Sequence, residues 1–593
     1  MPQAIHPRTG RPVYVPGTYT AQDVISDLPG ATPEFHVPII AGGAEEGIPF
    51  NVATLKYDEE GDPSPFVFHG TSSAAKGYWG RDSDVGQAWA WAKRHGLPEA
   101  YTVCIGKLTR ASILATSIGP TNEATVYAKK YGAPGGYIKI KATAGNAIEV
   151  TPLKHYSMLA ANLGAAATRV YVKGNPWIKV GQTITLGDNG TAALTKTVTG
   201  VGEEVDSTGQ VDYWFDIDTA VGGGGLTTAL YGLVCEYDDN AVEASGTLAN
   251  GQAIIDWLND ESAYLGAHKH AAFSNAVLIA LVTATALKDV AVWGAAVVGT
   301  SPAPVAGDWD GFVTLMDSTL WDDFALRYQK LPQAFLVVDP SSTVQQAMRD
   351  WAGERRAAGV PISVTCGTAW GDTVIGAGND TAPEYRAGVL NSQDVSLWAG
   401  GLDRVAAFLS LAAAVFGRRI GGGLGHNLTN DGLLYTSVEK RWDETGSGDL
   451  TTLHRAGVGT YRLATSGNSI RYVVSQGLNT LQDNDLAWNP TTEDTPLLMQ
   501  RDMGDYIDKV MRAELDGSQV GADTVDPAGI ATVMLRRGSQ LEGRGLIKRR
   551  GFTIVRIALN DAGTGYDATW SVRLKTTNDF ITLTTQILVG EAA

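Results

Sequence analysis

The chain has 593 residues, 44% of them apolar and 18% charged, so it can bury large cores and is too apolar to be disordered. Ordinary domain sizes put about three or four domains in such a length. A net charge of −17, from 63 acidic against 46 basic residues, argues against a nucleic-acid partner, because phosphate binding needs a basic footprint.

The first 30 residues contain five prolines and extended segments such as "RPVYVPGTYT", and they read as an extended arm. The start shows no basic segment followed by an apolar one, so a secretory signal is not expected. "EFHVPIIAGGA" reads as the first core strand. "DSDVGQAWAWAKRHG" reads as a helix capped by Asp82 or Ser83 and closed by Gly96, and "AYTVCIGKL" as a buried strand.

From about 168 to 237 the texture changes. Short Thr- and Val-rich runs, "RVYVKG", "QTITLG", "TKTVTGV" and "DYWFDIDTAV", are divided by Gly and Asn-Gly turns, which is an all-β signature. A helical pattern resumes at "NGQAIIDWLNDESAYLG". The block is therefore read as an insertion, sandwich or barrel, in an α/β host. The host continues as strand–helix alternation: "DVAVWGAAVVG", "STLWDDFALRYQ", "AFLVVD", "SSTVQQAMRDWAGERRAAG" and "VPISVTCG". The expected domains are an arm over 1–30, an α/β host over 31–160 and 245–424, the β insertion over 161–244, and a C-terminal α/β part over 425–593.

Two apolar runs, 276–287 and 405–416, fall short of the ~20 residues of a membrane span and are expected to be buried helices, so no membrane insertion is expected. In the last third, "MGDYIDKVMRAELDG" has an apolar helical face. "DPAGIATVMLRRG" starts a helix with Asp526 as cap and Pro527 in its first turn. Strands "RRGFTIVRIAL" and "YDATWSVRLK" follow. The closing segment 580–589 also has strand pattern, with Phe580, Ile581, Leu583, Ile587 and Val589 and no charge, a strand that invites pairing with another chain.

Chemistry is sparse. The chain contains no GxSxG elbow and no phosphate-binding GxxxxGK[ST] loop. "GGGLGH" at 421–426 reads as a flexible connection. His268 and His270 sit where a helix is expected and read as a surface pair rather than a metal site. Asp216/Asp218 and Asp483/Asp485 lack the pattern of a calcium loop. Cys104, Cys235 and Cys366 have no CxxC spacing and read as buried reduced thiols, as in a reducing cytoplasm. No catalytic residue, cofactor or metal is expected. From 536 to 556 seven basic residues (Arg536, Arg537, Arg544, Lys548, Arg549, Arg550, Arg556) face one acid, Glu542. This reversal of sign is either a solvated face or a contact with an acidic partner surface.

Several segments, in order, resemble the sheath proteins of contractile phage tails and related contractile injection machines. "YVPGTY" is similar to that family's Pro-Gly-Val-Tyr opening, with Thr18 at the Val. "GNAIEV" resembles its Gly-Asn-x-Ile/Leu-x-Val segment, and "YWGRDSDVGQAWAWAKRHGLPEAYTVCIGK" its helix and following strand. The better matches are "EYRAGVLNSQDVSLWAGG", "LTTLHRAGVGTYRLATSGNSIRYVVSQGLNTL", with Asn479 in place of a Thr, and "MQRDMGDYIDKVMRAEL".

The resemblance implies a non-enzymatic virion subunit, assembled in the host cytoplasm. It would polymerise with itself as stacked six-fold rings around a tail tube protein, meet baseplate and tail terminator proteins, and contract to drive the tube through the host envelope. It implies a tail-sheath fold whose C-terminal α/β domain, innermost against the tube, is completed by terminal strands exchanged between subunits. Val13, Tyr14, Val15 and Tyr19 would belong to one arm, and the 580–589 strand would be the other. Arg536, Arg537, Lys548, Arg549 and Arg550 would face the tube or a neighbour. The competing reading is a surface or secreted carbohydrate-binding protein that uses Trp177, Tyr213 and Trp214 of the insertion.

Overall fold

The structure, a computed structural model, describes residues 4–5, 12–13, 37–52, 65–115, 124–143, 147–174, 176–187, 194–205, 211–223, 225–226, 232–270, 281–287, 296–297, 300–444, 448–466, 469–481, 497–518, 526–559 and 566–574. It is a mixed α/β, multidomain architecture built on several separate sheets.

The largest sheet has seven strands in the order Val458–Gly459, Val395–Trp398, Ser363–Gly367, Ala334–Val338, Pro38–Gly42, Ala100–Cys104 and Val67–His69. All pair parallel except the last, which runs antiparallel to its neighbour. The five-residue strands at its centre are buried on both faces, which is why they read as unbroken apolar runs. The Asp84–Arg94 helix starts at Ser83, whose hydroxyl accepts from the Gly86 amide at 3.1 Å. It crosses the Leu411–Gly422 helix so closely that a Cβ on Gly417 would stand 2.2 Å from the Ala92 carbonyl oxygen and one on Gly421 2.3 Å from that of Gly96. The glycines of 421–425 are therefore a packed helix end, not a flexible connection: Gly421 and Gly422 lie in its last turn and Gly423 caps it at φ 77°. The core around this sheet takes in residues as far as Leu498.

Between residues 109 and 300 the chain leaves this sheet. One part forms two four-stranded sheets with the Gly251–Asp260 helix packed on them, around Val126, Ile140, Ile254 and Leu258. Here two expectations are corrected. Leu281–Ala286, within the run read as a buried helix, is a strand paired antiparallel with Lys139–Thr143. Val282, Thr283 and Thr285 are β-branched, and a short apolar run has no period that separates strand from helix. His268 likewise lies on a strand, Leu265–Lys269, rather than a helix.

The other part is all β. Its six antiparallel strands run in the order Leu153–Met158, Leu233–Tyr237, Thr183–Gly187, Leu194–Val205, Val211–Ile217 and Arg169–Val172. The first and last strands meet through the Lys173 amide to the Met158 carbonyl and the Ala160 amide to the Tyr171 carbonyl, both at 2.9 Å. The sheet thus closes into a small barrel filled by Val170, Ile184, Leu186, Phe215 and Ile217. Trp177 and Tyr213 pack on that core, and the Trp214 ring lies 3.7 Å from the Arg169 guanidinium.

The chain ends, as far as it is described, in the Leu498–Ser518 and Pro527–Gly543 helices and an antiparallel hairpin, Ile547–Leu559 with Tyr566–Leu574. Among the described residues no helix is long and apolar enough to cross a membrane. All three cysteines are buried, and none forms a disulfide among the described residues.

Candidate functional site

The C-terminal hairpin presents the arrangement most open to a partner. Trp570, Val572 and Leu574 alternate with the exposed Ser571 and Arg573, so one face is apolar. That face, with Phe552, packs on Tyr506, Ile507, Met511 and Leu541 of the two helices. Contact with the second helix is tight: a Cβ on Gly538 would lie 2.5 Å from the Phe552 ring. Among the described residues neither outer edge of the hairpin pairs with a third strand. A two-stranded sheet with both edges unpaired is a template for strand addition.

The basic stretch acquires a shape here. Ile547 pairs with Leu574 and Phe552 with Val572, leaving residues 548–551 to oppose Arg573 alone. This wide bulge is held by the Gly551 amide, which donates to Glu542 Oε1 at 2.9 Å, and by Arg550 at φ 56°. Lys548, Arg549 and Arg550 are all exposed on it, with Arg573 across. None of the three bulge side chains has a partner among the described residues. Arg536 and Arg537 differ: the first is paired with Glu514 and the second donates to Gln540 Oε1 at 2.7 Å. The structure thus separates the candidates into three free cations and two engaged ones.

A buried ionic cluster fixes this unit to the large sheet. Arg501 Nη2 lies 2.7 Å from Asp394 and Nη1 3.0 Å from Asp505. Arg356 reaches the same two carboxylates at 2.6 and 3.0 Å. Arg419 pairs with Asp502. Three guanidinium groups thus meet three carboxylates, and Arg501 also donates to the Ile362 carbonyl. Burial acts to raise the Asp394 carboxyl, but the hydrogen bonds and charges of Arg356 and Arg501 outweigh it and hold it below the ordinary aspartate value. No sequence motif announced this cluster, because Asp394 and Arg501 stand 107 residues apart.

Of the arm candidates, Val13 lies in a strand, Pro12–Val13, that pairs with Ala4–Ile5 of the same chain. Tyr14, Val15, Tyr19, Phe580, Ile581, Leu583, Ile587 and Val589 lie outside the described residues. The rings of His268 and His270 lie 5.3 Å apart, tilted by 37°, and His270 bonds Thr125 at 2.8 Å. Among the described residues no group of three or more His, Cys, Asp or Glu is placed to hold a metal ion. Asp216 is engaged by Arg169 at 2.9 Å.

This is the fold of the sheath tail proteins. A sheath tail protein from Listeria innocua superposes with a TM-score of 0.52 at 11% identity, covering 94% of this chain and 96% of that one. Another, from Desulfitobacterium hafniense, covers 95% and 100% at 11% identity and a TM-score of 0.49. The contracted helical sheath of the anti-feeding prophage covers 49% and 78% at 15% identity and a TM-score of 0.36. The first likeness is one of fold. Scans against protein-family models and curated proteins find no match.

Proposed function

We propose that this chain is the structural subunit of a contractile tail sheath. It polymerises with itself in stacked six-fold rings around a tail tube, docks to a baseplate and a terminator, and shortens to drive the tube through a host envelope. The role is mechanical rather than enzymatic; the place is the virion, after assembly in the host cytoplasm. The observation that carries the reading is fold likeness along almost the whole length of both chains to a sheath tail protein, at a TM-score of 0.52.

The open-edged hairpin supports the finer proposal. Strands from the 13–23 and 580–589 segments of neighbouring copies add to the edges of Ile547–Leu559 and Tyr566–Leu574, completing a sheet across subunits. Each cross-strand pair is worth only about 0.2–1 kcal/mol, yet several per strand make a tether that outlasts movement elsewhere. In this reading the 425–593 part lies innermost, with the bulge cations toward the tube or an adjoining copy, and the barrel lies farthest out. The test is electron microscopy of the purified full chain: tubes or rings support the reading, and monomeric particles at concentrations that assemble other sheaths contradict it.

A further inference from the structure

A cleft of about 380 Å³ opens where three parts of the chain meet, in the size range of small-molecule sites. The large α/β unit gives it Glu46, Lys76 and Arg81. The paired four-stranded sheets give Lys130 and Tyr264, and the barrel gives Lys154 and Tyr156. Four cations against one lining carboxylate is a strong reversal in a chain of net charge −17. Two of the four are already neutralised: Lys130 by Glu46 and Lys154 by Glu236, each at 3.0 Å.

Lys76 and Arg81 are not. Neither has a hydrogen bond or ion pair among the described residues; Asp82 acts on both through space only. Burial lowers the Lys76 ammonium below its ordinary pKa; the Asp82 charge opposes the shift without cancelling it, and the like charge of Arg81 adds to it. The remaining wall is apolar, from Leu153, Ile138 and Pro134, and Tyr264 adds an aromatic ring.

We propose that this cleft binds a carboxylate carried on a small apolar body, with Lys76 and Arg81 holding the carboxylate and the Tyr264 side taking the body. The inference does not depend on the sheath reading. Benzoate is the probe, titrated calorimetrically into the full chain at constant ionic strength, with cyclohexanol as the uncharged control. Saturable benzoate binding at one site per chain is expected, without binding of cyclohexanol. The double variant Lys76→Met/Arg81→Gln should weaken it at least tenfold. Ala263→Trp, at an exposed rim position, should do the same by filling the cleft while keeping its charges.

Absence of saturable binding, or binding unchanged in both variants, overturns the proposal. A second arm identifies the source of the carboxylate. If it belongs to an acidic side chain of another copy, benzoate slows assembly of the wild-type chain and the double variant assembles more slowly. If it belongs to a free acid, neither changes the assembly rate.

Discussion

His95 shows how one buried side chain ties distant segments together and what that costs in acid. Its Nδ1 meets the Trp91 carbonyl at 2.9 Å and its Nε2 accepts from the Leu434 amide at 3.0 Å, which assigns the neutral ring with the proton on Nδ1. Burial, chiefly, pushes its pKa down to about 4. A histidine depressed in the folded state contributes stability that is complete above its unfolded value of about 6.5 and is lost as pH falls toward 4, up to about 3 kcal/mol. Denaturant titrations at pH 7 and pH 4.5 should show a smaller loss in His95→Gln than in wild type; equal losses would refute the assignment.

Asp82 has the opposite sign. Half-buried beside Glu45, and facing Gly174 of the barrel side, it is pushed up to about 6, mainly by desolvation. Its ionisation therefore opposes folding as pH rises from about 4 to 6, and Asp82→Asn should flatten that part of the stability profile. At Asp394 the expectation is plain loss: Asp394→Ala takes from both Arg356 and Arg501 the carboxylate they share, leaves the buried cluster with more positive than negative charge, and should cost about 3–5 kcal/mol in chemical unfolding.

At the scale of elements, the bulge is the feature to test. Arg549→Glu/Arg550→Glu reverses two exposed, unpartnered cations and should leave the melting temperature within a few degrees of wild type while abolishing tube attachment or changing sheath length. Normal attachment and length would show that the bulge meets no acidic surface. Much at this scale was legible in the sequence. Central strands announced themselves as apolar runs, Asp526 as a helix cap, and Ser83 as one of two candidate caps beside Asp82. The charge reversal at 536–556 was legible too, but the sorting of its cations was not. The bulge depends on Glu542 reaching across from a helix, and Arg536 finds Glu514 through helix packing. Leu281–Ala286 was misread because a short run of Leu, Val, Thr and Ala suits either helix or strand. The crossing at Gly417 and Gly421 was not legible, and Gly421 was misread as part of a flexible connection, since small residues reveal a close approach only once the other backbone is known.

For the whole molecule, the described units share one logic. A large sheet with a continuous core carries the barrel on one excursion of the chain and the helix–hairpin unit on another, and the Arg356–Asp394–Arg501 cluster binds the latter to the former. Under the proposed function a subunit so braced would move as a body, with the flexibility between copies left to whatever joins them. In the proposed sheath that joint is the hairpin, whose two edges are unpaired among the described residues. Cryo-electron microscopy of the assembled full chain, at a resolution that traces strands, tests this most directly. The account predicts a ladder of backbone hydrogen bonds in which terminal segments of neighbouring copies flank Ile547–Leu559 and Tyr566–Leu574. Hairpin edges left bare in the assembly, or covered only by the subunit's own termini, would contradict it.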